Sequence, residues 1–406
     1  METKFSKLLN GFRKNHNTQN GLLNMLETWR HNLNQKNIIG AIIMDLSKAF
    51  DTINHNLLLA KLNAYGFNND SVQLLKSYLS SRKQRTKINT SYSSWMDILC
   101  GVPQGSILGP ILFNIFINDM FFCVKNANLC NYADDNTLYA CHRNFKIVED
   151  NLKSNFNILI DWFHNNYMIL NPNKCSFMVL GQNNPQELTF ENFTLKNTKE
   201  EKVLGITIDN ELKFDTHLKN ICKKANQKLS VLSRISNYMS TNHSKLLVNS
   251  FIKSQFNYCP LIWMFCSRKA NNKINNLQER SLRLAYKNQL SSFDELLIEA
   301  KEITTHQCCL QKLCIEIYKT LNGLAPEIAK NIFPLKMQHH NTRQINVFEC
   351  ENPTTSRYGL TSICYRANQI WNTVPNELKT IPNLSLFKIK VKTWKEEIYV
   401  KYISQS

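Results

Sequence analysis

No run of apolar residues in this chain is long and clean enough to cross a membrane. The richest stretch, Pro110 to Phe122, is interrupted by Asn114, Asn118 and Asp119, whereas a spanning helix needs roughly 20 mainly apolar residues. The opening Met1-Glu2-Thr3-Lys4-Phe5 lacks the apolar segment of a secretion signal. Repeats and low-complexity tracts are absent, which argues against repeat and fibrous architectures. Acids are scarce relative to bases: 31 Asp+Glu stand against 49 Lys+Arg, a formal charge of +18. That imbalance favours polyanionic partners, nucleic acid above all. No paired C-x-x-C appears among the 13 cysteines, and their odd number and irregular placement from Cys100 to Cys364 predict reduced thiols inside a cell. Cys308, Cys309 and Cys314 with His306 come nearest to a zinc set, but the pattern fits a helix with buried thiols better.

What is present is enough for two or three hydrophobic cores: 406 residues, 43% hydrophobic and 10% aromatic. The most informative segment is Tyr132-Ala133-Asp134-Asp135, set in the alternating run Leu129 to Tyr139. Alternation of this kind predicts a hairpin with the two acids at its turn. A third acid, Asp45, ends the apolar run Ile38 to Met44, and between them lies the glycine-rich stretch Gly101 to Pro110. Carboxylates gathered at one place repel each other unless a cation neutralises them, and hard oxygen ligands suit Mg²⁺ or Mn²⁺. Two such ions roughly 3.5–4 Å apart can clamp the attacking and leaving oxygens of an in-line phosphoryl transfer. The pattern therefore points to a nucleotide polymerase.

Leu22, Leu23, Leu26, Trp29 and Leu33 predict a helix over 17–35, followed by the strand that ends at Asp45. Asp51 or Thr52 is expected to cap a helix carrying Leu57, Leu58 and Leu62 that stops near Gly66. Ile111, Phe113, Ile115 and Phe116 fit a mostly buried helix, and residues 144–169 a longer one with Phe145, Val148, Leu152, Phe156, Leu159 and Phe163 on one face. Strands are expected at 175–180 and 203–208. The expected fold class is α+β, an antiparallel sheet backed by helices rather than a doubly wound domain, followed by further helices and a small carboxy-terminal region. From Phe214 to about Lys287 the pattern is helical and basic, and the polar stretch Lys336 to Thr355 sets off a final unit with Tyr358, Tyr365, Trp371, Phe387 and Trp394.

The order of these motifs resembles the reverse transcriptase of non-LTR, LINE-type retrotransposons, particularly jockey-like elements. Asp45 to Asp51 looks like that family's motif A, Gly101 to Pro110 like motif B and Tyr132 to Asp135 like motif C. The resemblance implies that Asp45 and Asp134 bridge two Mg²⁺ ions, with Mn²⁺ as a substitute, that Asp135 adds a nearby carboxylate and that Leu46 offers its carbonyl. It makes Phe50 a steric gate against ribose, Gln104 and Gly105 contacts to nucleotide and template, and Lys174 the motif D lysine that assists the leaving pyrophosphate. Val203-Leu204-Gly205 resembles the family's hairpin that grips the primer end, so Tyr132, Leu204 and Gly205, with Lys223, Lys224 and Lys228 of a thumb, become contacts to primer or template.

The implied organisation is a remnant of fingers over 1–36, palm over 37–210, thumb-like helices over 211–290 and a carboxy-terminal region of unassigned role over 291–406. The implied partners are an RNA template, a DNA primer and deoxynucleoside triphosphates, with no membrane, in nucleus or cytoplasm. Gly11 to Thr18 resembles the segment that follows the fingers, so most of the fingers and the amino-terminal endonuclease are expected to be missing. That expectation keeps open a non-catalytic RNA- or DNA-binding protein derived from a polymerase. A maturase or telomerase-like enzyme would share the palm, but the sequence after Gly205 better resembles LINE elements.

Overall fold

A computed structural model describes residues 4–182, 187–191, 193–335, 348–350 and 352–395. Part of the 336–355 stretch therefore lies outside the described residues. The chain forms two compact units: residues up to Gly21 with Lys36–Lys199, and Leu22–Gln35 with residues from Glu200 onward. The first helix, α1 (Thr18–Asn34), follows the expected periodicity, and Leu22, Leu23, Leu26, Trp29 and Leu33 are all buried.

The first unit is built on a four-stranded sheet. Its strands are β1 (Ile38–Met44), β3 (Asn128–Tyr132), β4 (Asp135–His142) and β6 (Ser176–Leu180), arranged β6-β1-β4-β3 and antiparallel at every pairing. Strand β1 is apolar on both faces because both are covered, as a central strand requires. The long helix α4 (Phe145–Asn165) lies against β1 and β4, burying Val148, Leu152, Phe156, Leu159 and Phe163. Gly40 permits that approach: a Cβ there would stand 2.6 Å from Leu152 Cδ1 and 2.9 Å from Val148 Cγ1. Helix α2 (His55–Ala64) and helix α3 (Leu108–Ile117) complete the core, where Leu58, Leu62, Phe113 and Phe116 are fully buried.

One expected cap is corrected. Helix α2 is capped by Asn54, whose Oδ1 accepts from Leu57 N at 3.0 Å, and not by Asp51 or Thr52. Residues 48–52 form a tight turn in which Lys48 O accepts from the backbone amides of both Asp51 and Thr52.

The second unit begins with a hairpin, β7 (Glu200–Val203) and β8 (Ile206–Asp209), so the single strand expected over 203–208 is broken by a turn. Leu204 and Gly205 both take positive φ there, 49° and 83°. The Asp209 carboxylate then accepts from the amides of Glu211, Lys213 and Phe214, turning the chain into helix α5 (Asp215–Ile235). Helices α6 (Arg268–Tyr286), α7 (Thr305–Leu321) and α8 (Ile363–Thr373) follow, with α5 packed on α6 and α7 on α8. His306, Cys309 and Cys314 are buried on α7, as the helix reading expected.

The expectation of reduced thiols throughout fails at one pair, because Cys350 is joined to Cys364 in a disulfide. Glu27 on α1 holds the start of α8: its Oε2 accepts from Ser362 Oγ at 2.7 Å and from Ile363 N at 2.9 Å, while its Oε1 takes Arg30 Nη1 at 2.7 Å.

Candidate active site

Register assembles the acids. Met44 stands opposite Asn136, so Asp45, one residue on, lies level with Asp135 at the end of two adjacent central strands. Tyr132 pairs with Asp135 across a two-residue turn of Ala133 and Asp134. Ala133 adopts φ 56° there, a backbone state that normally favours glycine or asparagine.

The turn is held by buried amides that the motif reading did not single out. Asn131 Nδ2 donates to Ala133 O at 2.7 Å and to Asn136 Oδ1 at 2.9 Å, and Asn136 Nδ2 donates to Asp134 O at 3.0 Å. Asn10 Nδ2 donates to Asn131 O, and Asn114 Nδ2 donates to Gly11 O at 2.8 Å. The signal was an asparagine on each side of the acids, at positions the strand pattern buries.

Gly11 lies directly against the turn, where a Cβ would stand 2.4 Å from Ala133 N. Gly11→Ala must therefore push the turn away from its lattice. We expect a loss of about 1–3 kcal/mol from such overpacking, read as a lower urea midpoint; an unchanged midpoint would contradict this close fit.

Asp135 is exposed as a residue, yet its carboxyl is held above the ordinary value. The causes are partial withdrawal from water first, then the charges of Asp134 and Asp45. No protein group among the described residues donates a hydrogen bond to the carboxylates of Asp134 or Asp135. For an acid with a raised folded-state value, the folded chain retains its proton while the unfolded chain has lost it, so stability falls as pH rises through that window. Asp135→Asn removes the effect. Its melting temperature relative to the parent is thus expected to climb as pH rises from about 3.8, the unshifted value, and then level off. A difference that shrinks with pH would overturn the assignment.

Lys174 reaches the same place. Strand β2 (Leu46–Ser47) pairs with β5 (Ile169–Leu170), Asn171 N donates to Asp45 O at 3.0 Å, and Lys174 Nζ lies 3.4 Å from Asp45 Oδ2. Both side chains are substantially exposed, 65% and 41%, so the pair contributes little stability, about 0–1 kcal/mol.

Gln104 is brought to motif A, its Nε2 donating to Asp51 Oδ1 at 2.8 Å. Gly101, at φ 81°, allows that joint, since a Cβ would stand 2.7 Å from Asp51 O. Gly105, at φ 80°, has open space around it. Phe50 is half-buried and stacked on Phe113, ring centroids 4.2 Å apart; Leu46 is buried and Tyr132 half-buried.

In the second unit, Leu204 O accepts from Tyr258 Oη at 2.6 Å. Lys223 and Lys224 are exposed on α5, and Lys228 lies half-buried near the Phe251 ring.

Among the described residues, no three carboxylate, histidine or cysteine side chains converge as a ready-made metal cage. The donor set nevertheless fits a cation of the Mg²⁺ type. Such ions are commonly held by one or two carboxylates plus substrate phosphates rather than by protein alone, and Asp45 and Asp134 present oxygens at an open strand end.

An antiparallel sheet backed by helices, with acids at the end of its central strands, is the palm of a polymerase. The family described as reverse transcriptase (RNA-dependent DNA polymerase) matches residues 1–208, and the chain belongs to it. It is similar to the probable RNA-directed DNA polymerase from transposon BS of Drosophila melanogaster, 27% identical over 287 residues, covering 67% of this chain and 32% of that protein. It is also similar to the RNA-directed DNA polymerase from mobile element jockey of the same organism, 25% identical, covering 67% and 31%. The chain thus spans about a third of the length of these relatives. Among solved structures, apo telomerase from Candida tropicalis matches at 11% identity and a TM-score of 0.39, covering 80% of this chain and 52% of that one.

Proposed function

We propose that the chain is the polymerase part of a LINE-type retrotransposon protein, an RNA-directed DNA polymerase that extends a DNA primer on an RNA template. The observation that carries this reading is the register that sets Asp45 level with Asp135, beside Asp134 and within reach of Lys174. Asp45 and Asp134, with the Leu46 carbonyl and Asp135 nearby, would hold two Mg²⁺ ions. When bound, such ions supply charge neutralisation on phosphate oxygens and a more acidic primer hydroxyl.

The protein's own groups do the rest. Lys174 leaves its weak pair with Asp45 to place positive charge, and a proton, at the departing pyrophosphate. Phe50, made rigid by Phe113, presents a flat ring at the sugar and excludes a 2′-hydroxyl. Gln104 and Gly105 face the nucleotide and template, with Gly105 leaving room for close backbone approach. Tyr132, Leu204 and Gly205 serve the primer end. Lys223, Lys224 and Lys228 follow phosphates without reading bases. Under this reading residues 37–210 act as palm and 211–290 as thumb.

A second reading is binding without turnover, which the formal charge of +18 and the exposed Lys223 and Lys224 would support without any chemistry at the acids. The test is incorporation of deoxynucleotides by the purified protein on an RNA template with a DNA primer, in Mg²⁺ and separately in Mn²⁺. Incorporation supports the polymerase. Template binding with no incorporation in either metal would establish the second reading instead.

A further inference from the structure

The second unit contains a cavity of about 1000 Å³ lined by the first turns of α5 and α6 and by residues 356–366. Its lining is strongly one-sided in charge: seven arginine or lysine side chains and a single acid, Asp215. Some of these cations are already neutralised, since Glu211 accepts both Lys213 and Arg357. Lys219, Lys269 and Lys273 are not: each is exposed, and none takes part in an ion pair or hydrogen bond among the described residues. Lys269 and Lys273 stand four residues apart on α6, so they share a face of that helix. Arg30 also lines the cavity; it is only 4% exposed, with Nη1 paired to Glu27, Nη2 donating to Ile262 O and Nε buried without a hydrogen-bond partner.

Like charges gathered in one concavity repel, and a buried guanidinium nitrogen left unpaired costs about 1–3 kcal/mol. A fold keeps such a set when an anion is brought to it. The cavity is at the upper end of small-ligand pockets, too large for one carboxylate, and its floor is partly apolar, with Phe214 and Trp263.

We propose that this cavity binds a flexible chain of phosphates through Lys219, Lys269 and Lys273. The same chemistry is offered by a single nucleic-acid strand and by a free polyphosphate. The inference does not depend on turnover at the palm, because it concerns other residues and predicts binding whether or not the chain polymerises.

The experiment compares the full chain carrying K219Q/K269Q/K273Q with a control, K388Q/K390Q/K392Q, which removes the same charge from lysines that do not line the cavity. The probe is a short fluorescent oligouridylate, read by anisotropy across a salt series, with inorganic tripolyphosphate as a second probe and competitor. The cavity variant is expected to lose about tenfold or more in affinity, and about 2 in the slope of log K against log salt, for three lost single-strand phosphate contacts. The control should change far less.

Loss of the oligouridylate with only weak tripolyphosphate competition supports a strand as the ligand. Selective loss of tripolyphosphate supports the free polyphosphate. Equal losses in cavity and control variants, or none in either, overturn the site. Should the triple variant fail to fold, lysine acetylation of the unaltered protein gives the answer by mass spectrometry: a bound probe must shield Lys219, Lys269 and Lys273, and unshielded lysines reject the proposal.

Discussion

Primer extension by the Asp134→Asn protein is expected to fall by at least about 10³-fold, while binding of the template stays within about twofold. Replacing a carboxylate by an amide removes a full negative charge from the place where cation and triphosphate would meet. About 4 kcal/mol of lost transition-state stabilisation corresponds to that factor, at 1.36 kcal/mol per decade. Binding should survive because residue 134 is fixed through its backbone carbonyl, which accepts from Asn136 Nδ2, and the substitution keeps that bond. Asp135→Asn provides the comparison, and a smaller loss is expected if that carboxylate only adjoins the metals. An Asp134→Asn protein retaining more than a tenth of parental extension would remove Asp134 from the reaction.

The largest expected effect on stability belongs to Glu27. Its two oxygens serve a buried arginine and the first turn of α8 at once, and the ion pair is almost wholly withdrawn from solvent, 4% and 9% exposed for Arg30 and Glu27. Glu27→Ala strands a buried positive charge, which costs about 3–5 kcal/mol, and leaves the α8 amides without their acceptor, a further cost of about 1 kcal/mol. Urea unfolding of the second unit's helices should show it. Arg30→Met added to Glu27→Ala should recover part of the loss, because the uncompensated charge then disappears. A single-variant cost below about 1 kcal/mol would mean that the pair is solvated in solution, a departure from its burial here.

The elements that sequence alone revealed are those written in short-range periodicity. The apolar run ending at Asp45 could only be a covered strand, the Leu129–Tyr139 alternation a hairpin, and the Phe145–Phe163 spacing a helix. What escaped depended on residues far apart in the chain. Asp51 could not be known to leave its capping role until Gln104 was seen to bind it. The turn at Leu204 was visible only through the likeness of Val203-Leu204-Gly205 to a family hairpin, because a leucine at positive φ has no composition signal of its own. The pairing of Cys350 with Cys364 follows from where α8 begins, and no spacing rule gives it. The candidate site was legible in its acids and lysine; the amides that hold the turn were signalled only by asparagines at positions the alternation buries, while their bonding partners depend on the turn's backbone geometry. The cationic cavity was wholly illegible, its charges being drawn from residues 30, 219, 269 and 273.

The asparagine lattice around the Ala133–Asp134 turn also bears on how such a chain can change over generations. It grips peptide carbonyls and leaves the two carboxylates outside the network. At Asp134 the atom that holds the turn and the atoms proposed for chemistry are therefore different parts of one residue. Under the proposed function, one substitution at Asp134 would silence the reaction and leave the turn's hydrogen bonds in place, a scaffold open to selection for some other use. The reverse path is costlier, since loss of Asn131 or a side chain at residue 11 would disturb the turn itself and lower the stability of the scaffold.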